Sequence, residues 1–182
     1  MDRPSVREGT PVIVLVGGTR SGEPRPGWHN HAADRFGRDR MEHAMAEMTP
    51  DEVNAYLDGH GGYAVLSTVG KDGYPHAVPL GFFRSGEDVV LPVRGQRKVN
   101  IARNPKVAVT VESGRTMKEL KGVVIRGDAT LVEEPAAVLE LLREGARRRG
   151  TPDDQLPTEA RRGMAYVRVR PRKIASWDNT KP

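Results

Sequence analysis

Short apolar runs separated by turn residues fill the middle of this sequence and restrict the fold to antiparallel β-structure. Residues 63–69 (YAVLSTV) and 76–83 (HAVPLGFF) are rich in the β-branched and aromatic side chains that favour strands. Between them, residues 71–73 (KDG) are typical of a hairpin turn. A second turn at residues 84–87 (RSGE) leads into a strand that begins at Val89, so three strands are expected to meander. Four more strands are predicted at residues 106–112, 122–132, 164–170 and 173–177, with Pro171 separating the last two.

Two helices that flank the strands have clear start signals. Thr49 is the predicted N-cap of the first, with Pro50 at the first helical position and Glu52 completing a capping box. The second begins at Glu134, and its closing arginine run at residues 147–149 suits the negative end of a helix dipole. We therefore expect a mainly β (α+β) domain in which six to seven antiparallel strands close into a barrel with flanking helices.

The beginning of the chain differs from the remainder, and we expect residues 1–44 to be a flexible N-terminal extension of one domain at residues 45–182. Glycine and proline are frequent in this extension, and few apolar positions recur periodically. Residues 12–16 form an apolar island, followed by a glycine-rich GGTRSG segment; prolines rather than a helix follow, which weakens the case for a phosphate loop. His29 and His31 allow a metal role, although solvated histidines are the simpler interpretation.

Composition narrows the classes of function. The 182 residues include no cysteine, which excludes disulfides, thiolate catalysis and cysteine-ligated metals. The net charge of +5 favours anionic partners such as phosphates and nucleotides. Aromatic residues make up only 5%, so no stacking platform for single-stranded nucleic acid is evident, and no apolar run reaches membrane-spanning length. We expect a cytoplasmic protein without a membrane partner; a nucleic-acid-binding barrel stays as an alternative motivated by charge alone.

One segment combines a strand, a cluster of cations and the start of a helix. The strand at residues 89–93 (VVLPV) ends in Arg94, Arg97 and Lys98, and a short helical pattern then continues to Pro105. Backbone N–H groups in a first helical turn have no partner inside the helix, so the segment has the elements of a phosphate site. A solvated basic turn is the alternative.

The order of these segments resembles the pyridoxamine 5'-phosphate oxidase-like superfamily of flavin and deazaflavin oxidoreductases. Three stretches carry the resemblance: LSTVGKDGYPHAVPLGFF, VVLPVRGQRKVNIARNPKVAVTV and VVIRGDATLVEEP. The run from Lys98 to Pro105 and the Gly73-x-Pro75 tripeptide are the most family-like features. The resemblance implies a split β-barrel of the FMN-binding type, hydride transfer by the bound cofactor, and a homodimer with the cofactor site at the subunit interface.

The resemblance also assigns cofactor contacts by position. It gives the phosphate to Arg97 and Lys98, with Gln96 where the family often has a hydroxyl. It places the isoalloxazine ring over the second strand, against the backbone of Val78, Pro79, Leu80 and Gly81. Thr68 on the first strand is expected to neighbour the ring. Trp177 near the C-terminus is expected to stack on the ring or line the substrate pocket, with a place in the core as the alternative. No catalytic residue is assigned, because hydride transfer needs no acid–base pair when solvent supplies the proton.

Three departures argue against the vitamin-forming oxidase itself. Val78 stands where that enzyme has an arginine, and Pro92 stands where it has a hydroxyl-bearing residue. Its C-terminal signature of Trp, Arg and His residues is also missing. The sequence is more similar to the wider group that uses FMN, the first choice here, or the deazaflavin coenzyme F-420. The alternative is a non-catalytic flavin or haem binding protein on the same barrel.

The choice between the two cofactors depends on charge beyond the first phosphate. F-420 carries a phosphodiester and an acidic glutamate tail, so it needs a longer basic track than FMN. Four cations are candidates for that track, with a solvated surface as the alternative: Lys71, Arg94, Lys118 and Lys121.

Overall fold

The computed structural model describes residues 46–181, which contain seven strands and three α-helices. In chain order these are α1 (Pro50–Gly59), β1 (Ala64–Val69), β2 (Pro75–Leu80), β3 (Phe83–Ser85), β4 (Asp88–Val93), α2 (Gln96–Arg103), β5 (Lys106–Ser113), β6 (Lys121–Val132), α3 (Pro135–Arg148) and β7 (Ala165–Asp178). None of these helices is both long and apolar enough to cross a membrane. The predictions for residues 1–44, including His29 and His31, lie outside the described residues.

All seven strands form one antiparallel sheet in the order β2-β1-β5-β6-β7-β4-β3. The sheet curls around a single apolar core that includes Leu66, Leu91, Val109, Ile125 and Val167. The predicted split antiparallel barrel is thus confirmed. The predicted three-strand meander is wrong, because β2 ends at Leu80 and the chain crosses to the opposite edge of the sheet before β3 and β4. The barrel is split between these two edges.

The last strand, β7, connects the two halves of the sheet. Its residues 165–169 pair with β4, and nearly its whole length pairs with β6. The prediction of two strands separated by Pro171 is therefore wrong. Pro171 lies opposite Gly127 at a β-bulge, and the ring is tolerated there because a bulge disrupts the hydrogen-bond ladder locally.

The predicted helix starts are confirmed by their capping contacts. The Thr49 N–H donates to Glu52 Oε2 at 2.7 Å, and the Glu52 N–H donates to Thr49 Oγ1 at 3.3 Å. Glu134 caps α3 by accepting from the backbone N–H groups of Ala136 and Ala137. These two bonds favour the charged carboxylate and lower the pKa of Glu134 below its ordinary value of 4.5. The charged cap therefore stabilises the folded protein above that pH, and this stabilisation is lost as the pH falls through the lowered pKa of Glu134.

A helix covers only one part of the sheet's outside. There α3 packs Val138 and Leu141 against Val90 and Tyr166. On β1, β2, β5, β6 and the second half of β7, the residues that alternate with the core residues point away from the barrel. We call this surface the outer face, and it also carries the exposed Arg126 and Lys173. Its small or apolar side chains, all partly or fully exposed, are Val65, Ala77, Pro79, Ala108, Thr110, Val124 and Ala175.

Candidate functional site

The short helix α2 carries the predicted basic segment to the split in the barrel. It follows β4 after Gly95, whose φ of +59° is a conformation that glycine adopts without the strain of a side chain. Ile101 is buried in the barrel core, whereas Val99 remains 56% exposed. The core contact fixes one side of the helix and leaves its first turn at the barrel's surface.

A buried amide attaches α2 to the sheet. The Asn100 side chain is completely buried, and its Nδ2 donates to Thr68 Oγ1 at 3.0 Å. Its Oδ1 accepts from Gln96 Nε2 at 2.9 Å and from Arg103 Nη2 at 3.2 Å. The Thr68 hydroxyl donates to the His76 carbonyl at 3.4 Å. Because buried polar groups are costly when unpaired, this network fixes the helix relative to β1 and β2.

The split opens into a cavity of about 420 Å³, which we call the arginine cavity. Leu80 at the end of β2 and Pro92 and Val93 at the end of β4 contribute its apolar wall. Four arginines contribute positive charge: Arg94, Arg97, Arg161 and Arg162. The volume lies in the range of small-molecule sites, and guanidinium groups are suited to phosphate and carboxylate groups.

A second cavity, of about 610 Å³, lies beside the β1–β2 turn, and we call it the hairpin cavity. Gln96 and Asn100 line its helical side, and His76 lines it from β2. His76 Nδ1 is buried there without a hydrogen-bond partner among the described residues. Gln96 and Arg97 are neighbours in sequence, yet Gln96 lines the hairpin cavity and Arg97 the arginine cavity.

The two predicted phosphate ligands have different surroundings. Arg97 lines the arginine cavity, and its Nε is buried with no hydrogen-bond partner among the described residues. Lys98 forms an ion pair with Glu133, and both side chains keep more than a third of their surface exposed. Ion pairs that exposed contribute little, so a phosphate could compete with Glu133 for Lys98.

The strand predicted to contact the ring, β2, lies at the edge of the sheet. None of its residues is fully buried, and they alternate between exposed and half-buried. Val78 and Leu80 point towards the barrel interior, Pro79 points to the outer face, and Gly81 follows the strand in an exposed position. An edge strand leaves the N–H and C=O groups on one side without strand partners. Such free donors and acceptors are what the polar rim of a flavin ring needs for hydrogen bonding.

Thr68 and Trp177 are not beside the arginine cavity. Thr68 is buried, and its hydroxyl is engaged in the network of Asn100. The Trp177 indole covers Gly122 so closely that a Cβ there would fall 2.1 Å from the indole Cζ2. Ala165 lines the cavity, and Trp177 lies twelve residues further along the same strand, about 40 Å of extended chain. A single chain therefore does not bring Trp177 to the cavity.

The four cations proposed for the F-420 track do not lie together in the structure. Arg94 lines the arginine cavity and Lys71 the hairpin cavity. Lys121 starts β6 and pairs with Asp178 Oδ2 at 2.9 Å. Hydrogen bonds from Thr180 and Lys121 outweigh the effect of burial and lower the pKa of Asp178. Lys98 is paired near the opposite end of β6, so Lys121 and the preceding Lys118 lie far from it within one chain.

Two of the four arginines of the arginine cavity were not predicted. Arg161 and Arg162 come from the loop before β7, more than sixty residues after Arg97, and that loop has no periodic pattern. The only sequence feature that could have indicated a binding role was the pair of adjacent arginines just before Gly163 and a strand. Such pairs are common on solvated surfaces.

Comparison with known proteins places the chain among relatives of similar architecture. A curated protein of Streptomyces rimosus, named 5a,11a-dehydrotetracycline/5a,11a-dehydrooxytetracycline reductase, is 31% identical over 124 residues, which are 64% of this chain and 74% of that protein. A conserved hypothetical protein of Mycobacterium tuberculosis has a TM-score of 0.64 at 26% identity, covering 75% of this chain and 88% of that one. A structure named F-420 reductase shares the fold, with a TM-score of 0.51 at 24% identity over 65% of this chain and 92% of that one.

The family model described as pyridoxamine 5'-phosphate oxidase matches residues 49–178. This range includes every strand of the sheet and the helix that bears Arg97 and Lys98. The match, the Streptomyces relative and the split barrel agree with the resemblance seen in the sequence. The chain therefore belongs to the pyridoxamine 5'-phosphate oxidase family.

Proposed function

We propose that this protein is an oxidoreductase that uses FMN, or alternatively the deazaflavin F-420, to transfer a hydride to or from a small organic substrate. The arginine cavity carries the proposal, because it joins an apolar wall to Arg97, a guanidinium with a buried Nε that lacks a partner. FMN has the matching parts, an aromatic ring and a terminal phosphate. The Streptomyces relative is named a reductase, which supports reduction of an organic acceptor as the direction of the reaction.

The arginine cavity and its neighbours on α2, Gln96 and Lys98, which do not line it, each have a role in this proposal. Arg97 and Lys98 hold the phosphate, while Gln96 steadies the helix through its hydrogen bond to Asn100. Leu80 and the end of β4 shield the ring from water, and the backbone of β2 binds its polar rim. When bound, the cofactor supplies two-electron chemistry that protein side chains lack.

The proton that accompanies the hydride comes from solvent in this proposal. The described residues that line the arginine cavity include no carboxylate and no imidazole. His76 belongs to the neighbouring hairpin cavity, and its carbonyl is already engaged by Thr68. The protein's contribution is therefore binding, orientation and exclusion of water.

We also propose a homodimer in which a second copy packs on the outer face and completes the cofactor site. The small or apolar side chains of the outer face form the surface on which we place the second copy, with Arg126 and Lys173 on the same face. The Trp177 Nε1 is buried without a partner among the described residues, and it lies about a full strand length from the arginine cavity. A second copy is the means by which a Trp177 would reach the ring.

Val124→Asp is expected to convert this dimer into a monomer. Val124 lies within the outer face, between Thr110 and Ala175 in the strand register. Burying an unpaired carboxylate in an apolar interface costs several kcal/mol. Size-exclusion chromatography with light scattering should show half the wild-type mass, while Thr158→Asp, in an exposed loop, should keep it. An unchanged dimer would contradict this interface, and a monomer that binds FMN normally would contradict a shared site.

Cofactor binding and turnover together test the proposed function. The purified protein is titrated with FMN and with F-420 while the absorbance and fluorescence of each cofactor are recorded. Micromolar or tighter binding is expected for at least one of them. The bound cofactor is then reduced with dithionite without oxygen and mixed with a panel of small conjugated ketones and quinones. Reoxidation should be faster on the protein than for the free cofactor.

The results separate the candidate functions. Absence of binding to either cofactor would overturn the proposal as a whole. Tight binding without faster reoxidation by any acceptor would favour a non-catalytic binding protein on the same barrel. A control with riboflavin, which lacks the phosphate, reports how much of the affinity depends on the cations of the cavity.

A further inference from the structure

The four arginines of the arginine cavity differ from most other arginines in the described part of the chain. Seven arginines elsewhere form ion pairs with carboxylates: Arg84, Arg143, Arg147, Arg148, Arg168, Arg170 and Arg172. Within residues 46–181, the four guanidinium groups of the cavity form neither an ion pair nor a side-chain hydrogen bond. They belong to Arg94, Arg97, Arg161 and Arg162. Positive charge is therefore concentrated around one cavity without a neutralising protein group.

Such a concentration of like charge favours a bound anion. Arg94, Arg161 and Arg162 are exposed and Arg97 is half-buried, and a cleft lined by charges of one sign raises the local concentration of anions of the opposite sign. The buried Nε of Arg97 adds a hydrogen-bond donor whose desolvation no protein acceptor offsets. One phosphate at Arg97 and Lys98 would leave Arg161 and Arg162 unmatched.

The backbone holds the second pair of arginines in place. The Met164 N–H donates to the Arg161 carbonyl at 3.0 Å, which closes a turn in which Gly163 has a φ of +77°. Ala165, directly after this turn, is buried and pairs with Val93 at the end of β4. The turn is therefore fixed against the strand that leads to Arg94 and Arg97.

We infer that Arg161 and Arg162 form a second anion subsite on the arginine cavity, which binds a phosphate or carboxylate group in addition to the first phosphate. The inference rests on the proposed cofactor site and adds a preference for a ligand set with two acidic groups. The second group comes either from an acidic extension of the cofactor, as in FAD or F-420, or from an acidic substrate bound beside FMN. The separated Lys118 and Lys121 do not take this role within one chain.

The test compares a double variant, Arg161→Gln with Arg162→Gln, with a control of equal charge change, Arg115→Gln with Arg149→Gln. Arg115 and Arg149 are exposed and line neither the arginine cavity nor the hairpin cavity. Dissociation constants for FMN, FAD and F-420 are measured by fluorescence at two salt concentrations. In the double variant, FMN should bind within about threefold of its wild-type affinity. If the cofactor's extension fills the subsite, FAD or F-420 should bind at least tenfold more weakly than to the wild type. If an acidic substrate fills it instead, inorganic phosphate should no longer bind to the FMN-loaded double variant.

Calorimetry with inorganic phosphate distinguishes the two sources of the second acidic group. Phosphate should bind to the FMN-loaded wild type and the control. If phosphate also binds to the F-420-loaded wild type, the subsite belongs to a substrate; if it does not, the cofactor's extension fills it. Equal weakening of FMN and the longer cofactors, or equal effects of the control pair, would overturn the inference. If no cofactor binds to the wild type, the proposed function fails, yet a free double variant that binds one phosphate fewer than the free wild type would still support the subsite.

Discussion

FMN binding is expected to weaken by about a hundredfold or more when Arg97 and Lys98 are both replaced by glutamine. A charge-assisted hydrogen bond contributes roughly 1.5–3 kcal/mol, and about 1.4 kcal/mol corresponds to a factor of ten in affinity. Lys98→Ala alone should cost tenfold to a hundredfold and leave the fold intact. Fluorescence titration gives the constants, with riboflavin as the ligand whose affinity should stay unchanged. If FMN binds to the double variant as to the wild type, the phosphate is bound elsewhere.

The ion pair between Lys98 and Glu133 allows the role of Lys98 to be tested by a gain of affinity. Glu133 competes with a phosphate for Lys98. This competition is weak, because both the Lys98 and the Glu133 side chains are exposed to solvent. Glu133→Gln should therefore strengthen FMN binding by a fewfold in the presence of Lys98. The same change combined with Lys98→Ala should have no effect. Equal effects in both backgrounds would show that Lys98 does not contact the phosphate.

Asn100→Ala is expected to destabilise the protein by roughly 2–4 kcal/mol, because one buried and two partly buried hydrogen bonds are lost together. Thr68 loses a donor, and Gln96 and Arg103 lose an acceptor. For a domain of this size, the melting temperature should fall by roughly 10 °C. Arg97 lies one turn before Asn100 on the same helix, so FMN affinity should fall even at temperatures where the variant remains folded.

Gln96→Ala is the matched control for this network. It removes one hydrogen bond from an exposed side chain and leaves the bonds of Asn100 to Thr68 and Arg103 in place. Differential scanning fluorimetry should show a shift of no more than a few degrees. An Asn100→Ala variant that melts like this control would mean that apolar packing of Ile101, rather than the amide, anchors α2.

Local signals made much of the fold predictable. The capping box at Thr49 and the cap at Glu134 depend on residues two or three positions apart, and both formed as expected. The KDG turn formed as well, with Gly73 at a φ of +83°. Pro171 was misread, because a proline inside a strand pattern indicates a break unless the partner strand is known to supply a bulge.

The candidate site was less predictable because its residues meet only through the tertiary fold. Arg97 was visible as part of a strand–loop–helix pattern, but nothing local indicated that Arg161 would line the same cavity. In the sequence, nothing marks Asn100 as buried, because its hydrogen-bond partner Thr68 lies on a distant strand. The separation of Trp177 from Arg97 follows from the path of β7, which the sequence pattern divided into two strands.

The position of β7 has a consequence for how the protein is made. In chain order it is the last described strand, yet in the sheet it lies between β6 and β4. During synthesis on the ribosome, the β3–β4 hairpin must wait without its neighbour until residues 165–169 have emerged. The apolar edge of β4 therefore stays unpaired in the nascent chain until residues 165–169 emerge, and the arginine cavity is completed only then.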